Sequence, residues 1–239
     1  MRLEPGPIPG GQGLISEVAE AVWHPSLNFG DRRGCSAPDC VLLHYTAMQS
    51  SAAALARLCD PDYEVSAHYL IAEDGRVWQM VREADRAWHA GRGAWGACED
   101  LNSHSIGIEL ANPATHPFPE PQMTALEHLL RGVVARWGIA AERVLGHSDS
   151  AVARKIDPGP KFDWQRLAMQ GFGVWPQCVA PGDFDLDARR FGYRGEAAEV
   201  LAAFRLRFRP WAFGPMDDVD RGLMADLAQR WPHMRHSSR

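Results

Sequence analysis

Short apolar runs alternate with amphipathic stretches along the first two thirds of the chain. Runs of strand length contain successive apolar residues, whereas the stretches between them have apolar residues three and four positions apart, as a helix buried on one face requires. The predicted order is strand (39–47), helix (50–59), hairpin (65–81), strand (106–110), helix (121–137) and strand (143–146). This alternation predicts an α/β fold, a mixed central β-sheet flanked by helices.

Two of these elements have clear local signals. The two strand-like runs of the hairpin surround Asp74-Gly75, a favoured pair for a tight hairpin turn. The helix over 121–137 begins near Pro121, where proline is tolerated, and Gly138 follows its last apolar position. The apolar stripe of this helix therefore indicates core packing and not a ligand site.

Helical spacing returns near the C-terminus, after a segment rich in Pro and Gly. One face contains Ala197, Val200, Leu201, Phe204 and Phe208, and another contains Val219, Leu223, Leu227 and Trp231. We predict a lead-in over 1–37 with a short helix near 14–23, a main domain over 38–170, a linker over 171–185 and a small helical bundle over 186–233. The bundle is smaller than domains that usually fold alone, so we expect it to dock on the main domain.

Composition excludes several classes of function. The net charge of −5 argues against a nucleic-acid partner, which requires a basic face. No apolar run approaches the roughly 20 residues of a transmembrane helix. The first ten residues do not form a signal peptide, so we expect a cytoplasmic location, with a periplasmic one as the alternative if a leader is missing. The five cysteines are odd in number and irregularly spaced, which predicts free thiols.

Polar residues at the predicted strand ends are the candidate chemistry. They are His44, Glu109 and His147, together with Lys155 and Asp157 in the loop that follows. Two histidines and one carboxylate, with a coordination position left open, are typical of catalytic zinc, although the same ligands suit iron(II). With Glu109 as general base and Lys155 as a cation for a developing oxyanion, this set predicts metal-assisted hydrolysis of a carbonyl compound.

The long loop over 83–105 is the candidate wall of a binding site. Its Trp88, His89 and Trp95, and Asn112 just after the next strand, are candidate substrate contacts. The alternative for the aromatic residues is a small core beneath the loop.

A series of motifs then carries a resemblance. LLHYTA, VSAHYLIAEDG, AWHAG, SIGIEL and GHSD, followed by RKIDPGPKFDW, resemble in this order the zinc-dependent N-acetylmuramoyl-L-alanine amidases of the AmpD-like, or type-2, family, over residues 38 to 168. These enzymes are related to phage lysozyme-type amidases and peptidoglycan recognition proteins. The resemblance implies hydrolysis of the amide between the lactyl group of N-acetylmuramic acid, or its 1,6-anhydro form, and the L-alanine of the stem peptide.

The resemblance also implies residue roles. His44, His147 and Asp157 correspond to the zinc ligands, Glu109 to the catalytic glutamate, and Lys155 to the lysine two residues before the third ligand. The implied partners are peptidoglycan or its muropeptide and anhydro-muropeptide fragments. A non-catalytic peptidoglycan-binding or sensing protein is the alternative, and the presence of Asp157, Glu109 and Lys155 favours the enzyme. A serine hydrolase is less consistent, because the segment after His147 lacks the Gly-x-Ser-x-Gly elbow.

The C-terminal helices resemble, more weakly, a degenerate three-helix peptidoglycan-binding domain. On composition alone, a purely structural helical cap explains them equally well.

Overall fold

The computed structural model describes residues 17–18 and 20–233, and strands and helices alternate over its first two thirds. The strands are β1 (Val22–Trp23), β2 (Phe29–Gly30), β3 (Cys40–Tyr45), β4 (Tyr69–Ile71), β5 (Val77–Gln79), β6 (Arg86–Ala87), β7 (Ser105–Leu110) and β8 (Val144–Gly146). The α-helices are α1 (Ser51–Cys59), α2 (Leu101–His104), α3 (Glu120–Trp137), α4 (His147–Ser150), α5 (Trp164–Met169), α6 (Phe184–Phe191), α7 (Ala197–Phe208) and α8 (Asp218–Arg230). Two 3₁₀ helices cover Pro61–Tyr63 and Ala141–Arg143.

A six-stranded mixed sheet forms the centre of the molecule, in the order β1-β5-β4-β7-β3-β8. Strands β4, β7, β3 and β8 run parallel, and β5 pairs antiparallel with β4 through the predicted hairpin. Strands β2 and β6 form a separate antiparallel pair. The predicted fold class, a mixed sheet flanked by helices with a helical C-terminal region, is confirmed.

Side-chain alternation along the central strands separates two cores. Val41 and Leu43 point to the face that packs against α3 and α5. Cys40 and Leu42 point to the opposite face, which packs against the C-terminal helices. Because successive side chains in a strand alternate between faces, His44 continues the Cys40 and Leu42 side. The catalytic candidates therefore lie on the face toward the C-terminal helices.

Helix α3 begins and ends where its sequence predicts. Pro121 lies in its first turn, and Gly138 ends it in the left-handed conformation with φ of 64°. Gly138 donates its N–H to the Val134 carbonyl, which satisfies one of the carbonyls left free at a helix end. The apolar stripe of α3 is buried against the sheet, as predicted.

Two boundaries differ from the sequence prediction. The helix predicted near 14–23 is wrong at its C-terminal end, because Val22–Trp23 is a strand that pairs in parallel with β5. Residues 1–16 and 19 of the lead-in lie outside the described residues. Helix α6 begins at Phe184, inside the predicted linker, because Asp183 caps it by accepting from the Leu186 N–H. The helical bundle docks on the main domain through a shared core, as expected.

All five cysteines are free thiols. Among the described residues, no helix is both long and apolar enough to cross a membrane.

Candidate active site

Three neighbouring parallel strands bring the predicted residues together at one edge of the sheet. His44 on β3 and Glu109 on β7 are direct partners in the strand register, so their side chains share a face. His147 follows the last residue of β8, next to β3. The carboxyl ends of parallel strands are where such sheets usually bind ligands. This edge is the candidate active site.

Asp157 completes a compact group with the two histidines. His44 Nδ1, His147 Nδ1 and Asp157 Oδ2 form a triangle in which each pair of atoms is 3.0 Å apart. The Ser148 N–H donates to the backbone carbonyl of Asp157 at 2.9 Å, and this bond holds the end of the loop next to His147. Ligands about 2.1 Å from a tetrahedral ion lie roughly 3.4 Å from one another. The triangle is therefore close to one face of a tetrahedral metal site, and these three residues could hold a metal ion.

The outer nitrogen of His147 determines which ring nitrogen is free. Its Nε2 lies 2.8 Å from the Ala90 carbonyl, which can only accept a hydrogen bond. Nε2 therefore carries the proton in the neutral ring, and Nδ1 presents its lone pair to the triangle. A backbone carbonyl that orients a histidine in this way is a usual support of metal ligands.

His44 is oriented by a chain of three hydrogen bonds. Ser105 Oγ donates to the Leu101 carbonyl at 2.5 Å, so the hydroxyl accepts from His89 Nε2 at 3.3 Å. His89 Nδ1 then accepts from His44 Nε2 at 3.0 Å, which leaves His44 Nδ1 unprotonated. A Cβ at Gly107 would lie 2.5 Å from the His89 ring, so only glycine at this position leaves room for that ring against the sheet.

Electrostatics keeps the histidine of β3 neutral. Burial and the nearby His147 lower the pKa of His44 to about 4, so the imidazole is in the form that binds metal. Asp157 contributes the third candidate ligand atom, its carboxylate oxygen Oδ2. Two imidazole nitrogens and one carboxylate oxygen are ligand types that suit a divalent cation such as zinc.

Glu109 is the half-buried carboxyl beside this triangle. Burial and the Asp157 carboxylate raise the pKa of Glu109 to about 8, and Lys155 opposes that shift. Glu109 Oε2 is buried without a hydrogen-bond partner in the protein. A buried polar atom without a partner is rare, and here it is available to a water or a substrate in the cleft.

Lys155 and Arg154 provide positive charge at the mouth of the site. Lys155 is exposed and lines the cleft, near enough to act on the pKa values of His44 and Glu109. Arg154 Nη2 donates to the Ala90 carbonyl at 2.8 Å and lies 3.4 Å from His147 Nε2. Arg154 was not among the residues predicted from the sequence, although its position beside Lys155 was a signal.

A cleft of about 620 Å³ opens over these groups. Trp88 and His89 contribute to its wall, as do Tyr45 and Arg57, which the sequence did not single out. Tyr45 directly follows His44, so its place was predictable from the strand. Arg57 lies on α1, where no sequence signal distinguished it from a solvated helix residue.

Two of the predicted substrate contacts are placed elsewhere. Trp95 is only 1% exposed and packs edge-on against Phe191 and Tyr193, so it belongs to the core shared with the C-terminal helices. Asn112 is also buried, and its side chain donates to the His116 carbonyl and accepts from the Ala114 N–H. Both residues are packed in the protein interior and do not line the cleft.

Comparisons with known proteins agree with this geometry. Residues 34–160 match the Amidase_2 family, described as N-acetylmuramoyl-L-alanine amidase. The chain is 35% identical over 227 residues to the N-acetylmuramoyl-L-alanine amidase AmiD of Escherichia coli strain K12, covering 78% of this chain and 80% of AmiD.

Solved structures show the same fold. The E. coli AmiD structure in complex with the substrate anhydro-N-acetylmuramic acid-L-Ala-D-γ-Glu-L-Lys superposes with a TM-score of 0.74 and 33% identity, over 84% of this chain and 93% of that one. AmpDh3 of Pseudomonas aeruginosa, in complex with anhydromuramic pentapeptide, superposes with a TM-score of 0.75 and 31% identity, over 88% and 96% of the two chains.

The predictions of an enzyme, and of amide hydrolysis in peptidoglycan, are confirmed by these relatives. With a matching family over more than half of its length and a similar relative along most of it, the chain belongs to the Amidase_2 family of N-acetylmuramoyl-L-alanine amidases.

Proposed function

We propose that this amidase is zinc-dependent and that it cleaves anhydro-muropeptides, between the lactyl carbonyl of 1,6-anhydro-N-acetylmuramic acid and the L-alanine of the stem peptide. His44, His147 and Asp157 would hold the zinc. The triangle of three ligand atoms, each 3.0 Å from the others and each with its lone pair turned inward, is the observation that carries the proposal.

Zinc suits the donors better than the hard divalent cations common in proteins. Two imidazoles and one carboxylate favour zinc or iron(II) over the hard cations Mg²⁺ and Ca²⁺, which prefer oxygen ligands only. When bound, zinc would supply Lewis acidity, which polarises the amide carbonyl and lowers the pKa of the attacking water. Hydrolysis of an amide uses this acidity and needs no redox change at the metal.

Glu109 is assigned the proton transfers. Its free Oε2 would accept the proton that the attacking water loses as its oxygen bonds to the amide carbon. A cation held by the triangle favours the carboxylate form of Glu109, the form that can accept this proton. Glu109 would then deliver the proton to the alanine nitrogen as the carbon–nitrogen bond breaks. One side chain thus acts first as base and then as acid.

Lys155 is assigned to the negative charge that develops on the carbonyl oxygen. Its exposed ammonium group lines the same cleft and can approach a bound substrate from the solvent side. Arg154 contributes a second positive charge, held in place by its bond to the Ala90 carbonyl. Donors aimed at a developing oxyanion are a large source of rate acceleration in amide hydrolysis.

Trp88 is assigned to the substrate's sugar or peptide. It is half-buried in the cleft wall and directly follows Ala87 of β6. The anhydro form of the sugar is proposed because the similar AmiD and AmpDh3 structures contain anhydromuramic peptides. Intact peptidoglycan is the alternative substrate.

One experiment tests metal and substrate together. The full-length protein, stripped of metal and then given one equivalent of zinc, is incubated with anhydro-N-acetylmuramyl tripeptide or with purified sacculi, and the products are identified by mass spectrometry. We expect zinc-dependent release of the free tripeptide, faster from the soluble fragment. Cleavage without metal would refute the zinc site, and preferential cleavage of sacculi would refute the substrate.

The cytoplasmic location remains a prediction, which cell fractionation can test.

A further inference from the structure

The short helix that presents His147 is attached to the C-terminal helices by a buried carboxylate. Asp149 lies in α4, two residues after His147, and is fully buried. Asp149 Oδ1 accepts from the Tyr193 hydroxyl at 2.6 Å, and Oδ2 accepts from Arg207 Nη1 at 2.7 Å. Oδ2 also accepts from the Gly146 N–H at 2.8 Å, at the end of β8. One carboxylate thus joins the His147 turn to two residues of the C-terminal region.

Arg207 reaches from α7 to the strand that ends at the site. Its Nη2 donates to the Val144 carbonyl of β8 at 3.1 Å, and its guanidinium lies 4.1 Å from the centre of the Trp164 ring. The side chain is 1% exposed. A buried charge is costly unless it is paired and hydrogen-bonded, so keeping the bonds to Asp149 and Val144 holds α7 against β8.

A second connection reaches His147 from the other side. The loop that contributes the Ala90 carbonyl, the partner of His147 Nε2, continues to Trp95. Trp95 packs against Tyr193, and the Gly96 N–H donates to the Gly192 carbonyl at 2.7 Å. The α6–α7 connection therefore holds both the turn that carries His147 and the loop that orients its ring.

From these contacts we infer that the C-terminal helices are a part of the metal site's support, with Arg207 and Tyr193 as positioning residues that act on His147 through Asp149. Metal ligands must be placed to within a few tenths of an ångström, and groups that orient them change metal affinity by roughly 10- to 100-fold. The inference rests on the proposed zinc site. It gives the helices a role in metal binding whether or not they also contact cell wall.

A matched control lies on the same helix. Arg205 is two residues before Arg207 and is also buried, and it pairs with Asp220 of α8, with Nη2 2.5 Å from Oδ2. Its other bonds reach the Gly214 and Pro215 carbonyls, at 2.7 and 2.9 Å. All these partners belong to the C-terminal region. Replacing Arg205 removes a buried arginine from α7 without touching α4 or β8.

The test compares Arg207→Met with Arg205→Met in the full-length protein. Zinc affinity is measured by competition with a chromophoric chelator, and the ligand geometry is monitored by the visible absorption of cobalt(II) in the same site. We expect Arg207→Met to weaken zinc binding about 10- to 100-fold and to shift the cobalt bands. We expect Arg205→Met to keep both, although it lowers the thermal midpoint to a similar extent.

A milder variant keeps the inference testable if Arg207→Met does not fold. Tyr193→Phe removes one hydrogen bond to Asp149 and should weaken zinc binding about fivefold, with a smaller shift of the cobalt bands. Unchanged affinity and spectrum in both Arg207→Met and Tyr193→Phe would overturn the inference, as would equal losses in Arg205→Met. If the wild-type protein itself binds no zinc, the proposed function fails first, and this outcome is distinguishable from the others.

Discussion

Two buried clusters of polar groups meet at the turn that contains His147 and Asp149, and they differ in how their charge is balanced. Around Asp149, a carboxylate receives hydrogen bonds from Tyr193, Arg207 and the Gly146 backbone. Around Asp157, two imidazole lone pairs face a carboxylate, and the neighbouring Glu109 has a buried oxygen without a partner.

This difference separates a structural cluster from a functional one. The Asp149 cluster is balanced by the protein's own donors, with Arg207 Nε as the one donor atom left without a partner. The Asp157 cluster is not balanced by the protein, because its lone pairs point at one another and need a cation between them. Unfavourable arrangements of this kind occur in proteins mainly at functional sites, where a bound ligand can compensate for them. Breaking the Asp149 cluster should therefore mainly reduce stability, whereas breaking the Asp157 cluster should mainly reduce activity.

The largest expected effect is on turnover, from Glu109→Gln. The amide keeps the size of the side chain but cannot accept and return a proton, so kcat should fall by about 10²- to 10⁴-fold or more. Steady-state hydrolysis of anhydro-muropeptide measures the loss, and urea unfolding serves as the control for folding. Turnover within tenfold of the wild type would remove Glu109 from the mechanism.

The next effect is on stability, where the two aspartates should differ. In metal-free protein, Asp149→Ala leaves the Arg207 charge buried without its partner, and the free energy of unfolding should fall by about 3–5 kcal/mol. Asp157→Ala relieves an unbalanced cluster, so the same quantity should change by less than about 1 kcal/mol. Urea denaturation in the presence of a chelator measures both. A larger loss for Asp157→Ala than for Asp149→Ala would reverse the assignment of the two clusters.

The smallest effect is a pH dependence that involves neither cluster directly. His68 is fully buried; its Nδ1 accepts from the Gly107 N–H at 2.9 Å, and its Nε2 lies 3.1 Å from the Asp85 carbonyl. Burial and the nearby Arg32 lower the pKa of His68 to about 3, from 6.5 for an unperturbed histidine. Between these pH values the unfolded chain binds a proton that the folded protein does not, so stability is lost as the pH falls.

His68 should contribute up to about 1.4 kcal/mol per pH unit to this slope. His68→Asn, which retains an acceptor for the Gly107 N–H, should reduce the slope between pH 6 and 4. The matched control is His128→Asn on the exposed side of α3, which should leave the slope as it is. Urea unfolding at several pH values provides the measurement, and an unchanged slope in His68→Asn would contradict the neutral buried state.

Much of the sheet and the site was predictable because local patterns encode them. The apolar run that ends at His44, the Asp74-Gly75 turn and the stripe of α3 are each determined by neighbours in sequence. Parallel strands then bring their ends together by geometry alone. The strand pattern is therefore sufficient to place His44, Glu109 and His147 at one edge of the sheet.

The remaining features depend on contacts between distant residues. Trp95 could not be assigned to the core from sequence, because its partners Phe191 and Tyr193 lie about a hundred residues further along the chain. The role of Asp149 could not be predicted from the sequence, because its partners Arg207 and Tyr193 belong to another helical region. The hydrogen-bond chain through His89 and Ser105 could not be predicted for the same reason, because it joins residues that are distant in the sequence. Burial decided each of these cases, and burial is a tertiary property.

The central claim is that His44, His147 and Asp157 hold the metal while Glu109 moves the protons. Its most direct test measures bound zinc and anhydro-muropeptide hydrolysis on the same preparations of wild type, Glu109→Gln and Asp157→Ala. We predict one zinc with activity for the wild type, one zinc without activity for Glu109→Gln, and neither for Asp157→Ala. Full zinc content in Asp157→Ala, or loss of zinc in Glu109→Gln, would contradict the claim.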